Sequence, residues 1–200
     1  VCFSKIEFID FQICPHCRKN AIAGLTHPGC RKVYGLDGLI SVFIFDGVGR
    51  KLVHEFKFRR VTDLKDLLAT LIVADLSKEW LRFDNYLFCP IPLSKSRENW
   101  RGFNQAQLIS RELAQMLKIP VYEALVRSKN TRPQSQTKKE EKYKNISGVF
   151  VVSSQKRVEG TNILLFDDVF TTGSTLKEAA KVLKRGGANK VWALTLARSR

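Results

Sequence analysis

Four consecutive apolar residues, Ile163-Leu164-Leu165-Phe166, run straight into Asp167-Asp168. Val169 and Phe170 follow, and then the small polar turn Thr171-Thr172-Gly173-Ser174-Thr175 opens a helical pattern at Leu176. This order of strand, acidic pair, hydroxyl-rich turn and helix constrains the chain more than any other feature. Ligands of open parallel sheets bind beyond the carboxyl ends of the strands. A helix amino terminus offers free N–H groups and a partial positive charge, and so favours a phosphate. Thr171, Thr172, Ser174 and Thr175 add hydroxyl donors without bulk, and Gly173 lets the backbone approach closely. Carboxylates beside a phosphate cradle repel it unless they serve sugar hydroxyls or a cation. The expected ligand therefore combines a phosphate with a diol, Mg²⁺, or both. The plainer reading is a capped helix start with Asp167 and Asp168 in favourable amino-terminal positions. The ordered strand, turn and helix weigh for the binding site.

The rest of the chain repeats the alternation of strand and helix. Residues 38–45 are β-branched and aromatic and stop at Asp46-Gly47, which predicts a strand. Leu52, Val53 and Phe56, then Leu64, Leu67, Leu68, Leu71 and Ile72, recur at helical spacing, with Lys57-Phe58-Arg59-Arg60 between them. Residues 85–92 read as a buried strand ended by Pro90 and Pro92. Asn104 is placed to cap the next helix, and 119–126 reads as another strand. Residues 127–145 are basic with few apolar anchors, hence a mobile loop. A short strand at 149–152, a helix over 173–184 stopped by Gly186-Gly187, and a last strand at 191–196 complete the pattern. It predicts an α/β fold with a parallel sheet flanked by helices.

The chain has 200 residues, 44% hydrophobic and 26% charged, which fits one domain plus a small appendage and excludes a disordered tail. Its apolar runs at 39–45, 67–74 and 163–166 are too short to span a membrane. Lys and Arg number 34 against 19 Asp and Glu, and the net charge of +15 favours polyanionic or phosphorylated partners. No secretory signal opens the chain, which starts at Val1; a cytoplasmic protein with an incomplete amino terminus is expected.

Of five cysteines, Cys14, Cys17 and Cys30 lie close together, while Cys2 and Cys89 stand apart. An odd number without a secretory signal argues for reduced thiols rather than a disulfide framework. Cys14-x-x-Cys17 and His27-x-x-Cys30 form two knuckles, a spacing that lets four ligands reach one tetrahedral structural Zn²⁺. The alternative is a set of reduced thiols with His27 on the surface. The expected organisation is a zinc-knuckle module over 1–34 and a second domain over 35–200. Cys89 reads as a small core residue, His16 as a spectator within its knuckle, and His54 as structural.

The stretch from Asp167 to Thr175 resembles the phosphoribosyl-pyrophosphate motif of type I phosphoribosyltransferases. Cys89-Pro90-Ile91-Pro92-Leu93-Ser94-Lys95-Ser96-Arg97, with Arg101-Gly102-Phe103-Asn104-Gln105, narrows the resemblance to the ComF family of competence-associated proteins. Arg127, Gln134, Asn145 and Phe150 fit that family's second loop. The likeness implies a type I phosphoribosyltransferase-like sheet with a small amino-terminal zinc module. It implies that Asp167 and Asp168 hold the ribose hydroxyls and that Thr171, Thr172, Gly173, Ser174 and Thr175 wrap the 5′-phosphate. Ser94 and Lys95 would contact pyrophosphate, with Arg97 and Arg101 near; Asp167, Asp168 and Arg101 are the catalytic candidates. Mg²⁺ would be held mainly by pyrophosphate and the ribose hydroxyls. Lys129, Arg132 and Gln134 would work on a closing flap. The family's zinc module carries several Cys pairs; here His27 stands in place of one Cys, and Lys5 where a partner for Cys2 belongs.

Two functions follow as expectations. The first is Mg²⁺-dependent binding of phosphoribosyl pyrophosphate and phosphoribosyl transfer, a pentosyltransferase reaction, to an acceptor the sequence does not reveal. The second is a single-stranded DNA-handling accessory in natural transformation, working with DNA-uptake or recombination proteins, whose phosphate pocket is not catalytic. Basic residues near Trp100, Phe103, Tyr143 and Phe150 would suit the second, because bases stack on aromatics while cations follow the backbone. A ligand-sensing or scaffold domain is a third and plainer option.

Overall fold

In the computed structural model, which describes residues 3–58, 64–76, 83–128 and 148–200, four parallel strands form one sheet. These are β1 (Gly38–Ile44), β2 (Tyr86–Pro90), β5 (Asn162–Phe170) and β6 (Lys190–Arg198), in the order β1-β6-β5-β2. Successive side chains of a strand point to opposite faces, and this sheet buries both. Ile40, Phe88, Leu164, Phe166 and Leu194 pack with Leu52 and Phe56 of α1 (Gly47–Phe58), Leu68 and Ile72 of α2 (Leu64–Leu76), and Ile109 and Leu113 of α4 (Gln105–Leu117). On the opposite face Leu39, Cys89, Ile163, Leu165, Val191 and Ala193 meet the apolar side of α6 (Ser174–Arg185). Double-sided burial is why these strands read as unbroken apolar runs. The α/β architecture expected from the sequence is the one observed.

Both outer strands are partnered by irregular segments. Beside β1, Ile9 N–H donates to Val42 O and Ile44 N–H to Glu7 O, at 3.0 and 2.8 Å. The Gln12 side chain then acts as one more peptide, accepting from Ser41 N–H at 3.0 Å and donating to Ser41 O at 3.1 Å. Beside β2, Phe88 N–H donates to Pro120 O and Tyr122 N–H to Phe88 O, at 2.9 and 2.8 Å. The strand expected at 119–126 is therefore corrected. It is a single bridge at Val121, then a separate strand β3 (Leu125–Arg127) antiparallel to β4 (Phe150–Val152). A short α5 (Gln155–Val158) leads into β5.

A second correction concerns β5, expected to end at residue 166. It continues through Asp167 and Asp168 to Phe170, because Asp167 pairs with Thr195, Val169 with Ala197 and Phe170 with Arg198. Backbone pairing with β6 outweighs the loss of apolar character. Of the next two helix starts, the one at Asn104 was expected and the one at Ser94 was not. Asn104 Oδ1 accepts from Ala106 N–H at 3.0 Å, and Ser94 caps α3 (Lys95–Arg101) by accepting from Arg97 N–H at 3.4 Å. Past α6 the left-handed residue is Gly187, at φ +95°.

Candidate active site at the carboxyl edge of the sheet

Asp167 and Asp168 project from the last third of β5, both partly exposed. Strand alternation would turn them to opposite faces, but Asp168 N–H donates to Asp167 Oδ1 at 2.9 Å and draws the first carboxylate back over the backbone. Lys57, near the end of α1, places Nζ 2.5 Å from Asp168 Oδ2. Burial and the neighbouring Asp168 push the Asp167 carboxyl up to about 7, against the pull of Lys57. The pair thus has one partnered carboxylate and one that titrates near neutrality. Burial presses the Arg101 guanidinium down from its ordinary range, while the charges of Asp168 and Asp167 work the other way. Arg127 behaves alike, with burial and Arg97 opposed by Asp167. Two arginines on different elements therefore share the field of this acidic pair.

The turn after β5 is folded on itself. Gly173, at φ +72°, precedes α6, and a Cβ there would fall 2.3 Å from the Phe170 ring. Only glycine meets both conditions. Thr172 Oγ1 lies 2.9 Å from Ser174 Oγ and accepts from Ser174 N–H at 3.3 Å. Lys177 Nζ reaches Thr172 O at 3.5 Å. A small pocket is lined by Asp167, Val169 and residues 171–176. It joins a carboxylate, hydroxyls and the amino end of a twelve-residue helix. Such a mixture suits a ligand that is anionic at one end and hydroxylated at the other.

The segment after β2 is anchored by hydrogen bonds. Ile91 N–H donates to Phe166 O at 2.9 Å, and Asn104 Nδ2 donates to Ile91 O at 3.1 Å, so the segment is tied to β5 and α4. Ser94 is buried and engaged as the cap of α3, with Ser96 Oγ 3.2 Å away, whereas Lys95 stands exposed. Arg101 Nη1 donates to Gln105 Oε1 at 3.0 Å.

Among the described residues, Cys14, Cys17, His27 and Cys30 bring their ligand atoms within 4.8 Å of one another. Cys17 Sγ lies 3.3 Å from His27 Nδ1, and His27 Nε2–H donates to Asn20 O at 2.9 Å. That donation leaves the Nδ1 lone pair facing the sulfurs, the usual arrangement of a metal-bound imidazole. Burial would raise the Cys14 thiol, but hydrogen bonds from the backbone of Cys17, His27 and His16 bring it below its ordinary value. Partial burial and the Cys17 and Cys14 sulfurs push Cys30 up to about 11. Crowded thiolates of this kind suit a divalent cation, and a Cys₃His group able to hold zinc is present. His16 lies against Gly35 instead, and His54 is exposed on α1.

Residues 101–200 match the phosphoribosyl transferase domain family. Over 99% of its length the chain is 33% identical to the competence protein ComFC of Bacillus subtilis (strain 168), covering 82% of that protein. The chain belongs to the ComF family. Competence protein F of Haemophilus influenzae (strain ATCC 51907 / DSM 11121 / KW20 / Rd) is 32% identical over 95% of the chain and 86% of its own length. The DNA utilization protein YhgH of Escherichia coli (strain K12) is 29% identical over 96% of the chain and 87% of its own length. ComF membership and the phosphoribosyltransferase-like fold agree with the resemblance drawn from the motifs.

Within this ComF framework Asp167 and residues 171–175 line one pocket, Asp168 follows directly on β5, and Arg101 lies within electrostatic reach of both carboxylates. The zinc-type residues form a separate group. Lys129, Arg132, Gln134, Tyr143, Cys2, Arg59 and Arg60 lie outside the described residues. Of the other aromatics, Phe150 is buried and Phe103 packs on Phe56 at 6.0 Å, which leaves Trp100 exposed. Two contacts were not legible in the sequence. Lys57, expected between two helices, lies within α1 and meets Asp168, and Arg18 carried no signal at all. Arg18 Nη1 donates to Thr171 O at 3.0 Å across 153 residues of chain.

Proposed function

We propose that this ComF protein binds phosphoribosyl pyrophosphate with Mg²⁺ and transfers its ribose 5-phosphate to an acceptor. The observation that carries the reading is the pocket shared by Asp167 and residues 171–176, with Lys57 and Arg101 beside it. In it Thr172, Ser174 and the first turn of α6 take the 5′-phosphate, and Asp167 and Asp168 accept hydrogen bonds from the ribose diol. The acidic pair, with Lys57 at Asp168 and the Asp167 carboxyl pushed up to about 7 by burial, suits hydroxyl donors better than a bare cation. Mg²⁺ would therefore be held by the ligand's pyrophosphate and ribose oxygens, neutralising charge on the leaving group. Arg101 and Lys95 stand on the side where that charge develops, and fixed cations there lower the barrier to its departure. Residues 127–145, with Lys129, Arg132 and Gln134, are the proposed flap that excludes water.

The Cys14, Cys17, His27 and Cys30 group is proposed to hold a structural Zn²⁺, in a module over 1–34 set on a phosphoribosyltransferase-like domain over 35–200. A cytoplasmic location is proposed with it; among the described residues no helix is long and apolar enough to cross a membrane.

Calorimetric titration with phosphoribosyl pyrophosphate and Mg²⁺ tests the reading, beside the double variant Asp167→Asn/Asp168→Asn. Heat from the parent and none from the variant supports it; equal heats overturn it. Release of pyrophosphate across bases, amines and water then identifies the acceptor.

A second reading is favoured by the relatives' names, which speak of competence and DNA utilization, together with the +15 charge. Here the chain handles single-stranded DNA in uptake, alongside recombination proteins, and the phosphate pocket is regulatory. Fluorescence anisotropy with a labelled oligonucleotide at low salt, where phosphate contacts are strongest, decides it: absence of binding removes the reading.

A further inference from the structure

We propose that Arg18 is a positioning residue that couples the Cys14, Cys17, His27 and Cys30 knuckle to the phosphate loop, so that loss of the metal loosens the loop. The inference rests on the reading of 171–175 as the phosphate site.

The argument starts at the backbone. Arg18 follows Cys17 directly and sits at φ +63°, a conformation that a non-glycine residue adopts only under constraint. The constraint is the knuckle itself. Arg18 N–H donates to Cys14 O, and Cys14 N–H donates to Lys19 O, each at 2.9 Å. The root of the side chain is thereby fixed by the turn that presents Cys14 and Cys17.

From that root the guanidinium reaches three residues at the far end of the chain. Nη1 donates to Thr171 O at 3.0 Å; Nη2 lies 3.0 Å from both Ser199 O and Ser199 Oγ and 2.9 Å from Arg200 O. Ser199 N–H in turn donates to Phe170 O at 3.0 Å, and Ser199 Oγ to Thr171 O at 3.3 Å. The carbonyl of the first loop residue is thus gripped by two donors. A peptide unit is planar and trans, so holding Thr171 O also fixes Thr172 N–H on the other side of the same plane. Thr172 is the residue whose hydroxyl meets Ser174. Lys177, on α6, holds the next carbonyl, Thr172 O, at 3.5 Å. The knuckle therefore bears on the loop by direct hydrogen bonds.

The test uses the full chain purified without chelator, as Arg18→Ala, Arg18→Lys and the parent. Zinc content, hydrogen exchange of the peptide over 170–178 and affinity for ribose 5-phosphate are measured on each. The expectation is one zinc equivalent in all three, faster exchange at 170–178 in Arg18→Ala, and affinity lower by about tenfold, with Arg18→Lys between. Chelation of the parent should speed exchange at 170–178, and chelation of Arg18→Ala should add little there while still loosening 14–30. Unchanged exchange at 170–178 in Arg18→Ala overturns the proposal. So does an equal effect of chelation on both proteins, or a loosening shared by β1 and β5. A parent that binds no ribose 5-phosphate removes the phosphate reading instead, and the exchange comparison still judges the coupling.

Discussion

The two ends of the sheet make different use of similar residues. At the amino end a wide cavity of about 780 Å³ is lined by Asp37, Phe83, Asp84, Tyr86 and Trp192 among others, with the three rings edge to face at 5.0 and 5.7 Å. Its central carboxylate is already engaged. Asp37 Oδ2 accepts from Val191 N–H at 2.7 Å and meets Lys184 Nζ at 2.8 Å, which braces β6 against α6. At the carboxyl end the space is far smaller, yet two adjacent carboxylates stand there, Asp168 paired with Lys57 and Asp167 pushed up to about 7 by burial and its neighbour. Room alone does not mark a candidate site. A buried carboxyl pushed far from its ordinary range is the better marker.

The comparison can be broken most sharply by exchanging injuries between the ends. Asp168→Ala should weaken phosphoribosyl pyrophosphate binding by about a hundredfold, the effect of losing charge-assisted hydrogen bonds to a diol. Asp84→Ala at the other end should leave it within about twofold; a calorimetric titration of both reads the contrast. Next in size is Gly173→Ala. Left-handed backbone and a clash with the Phe170 ring should together cost about 2–4 kcal/mol, seen as a midpoint lower by about 5–15 °C in thermal unfolding.

Asp167 adds a pH test of known sign. Its carboxyl rises from an ordinary 3.8 to about 7 on folding. Between those values the folded chain binds more protons than the unfolded one, so stability falls as pH rises through the window. Asp167→Asn removes that loss. Its unfolding midpoint at pH 8 should exceed the parent's by on the order of 5 °C, and the gain should vanish as pH falls toward 4. The smallest effect is expected of Asp37→Asn, about 1–2 kcal/mol of stability from the loosened brace, with ligand affinity unmoved. A clear loss of affinity there would erase the distinction between the two ends.

Much of this was legible in the residues. The apolar runs at 38–45 and 163–166 announced strands of a parallel sheet, and Asn104 announced its helix. The order from Asp167 to Thr175 announced a strand, a turn and a helix start, because all three are encoded in one short segment. What stayed hidden depends on pairing between distant parts. The extension of β5 through its own aspartates follows from hydrogen bonds to β6, and no local propensity encodes them. The contact of Lys57 with Asp168 and the reach of Arg18 to Thr171 depend on where helix and knuckle settle after the sheet has formed. A lone basic side chain looks the same whether it meets water or a carbonyl.

The ribbon of residues from Glu7 to Gln12 lies along β1 and occupies hydrogen-bonding groups that an outermost strand would otherwise offer to any passing chain. A shortened protein beginning after Cys30 would uncover the edge of a seven-residue strand, five of whose residues are large and apolar, the kind of surface on which copies stack into insoluble aggregates. The residues ahead of the strand thus carry both the Cys₃His group and the sheet's bumper, so one cut would remove both.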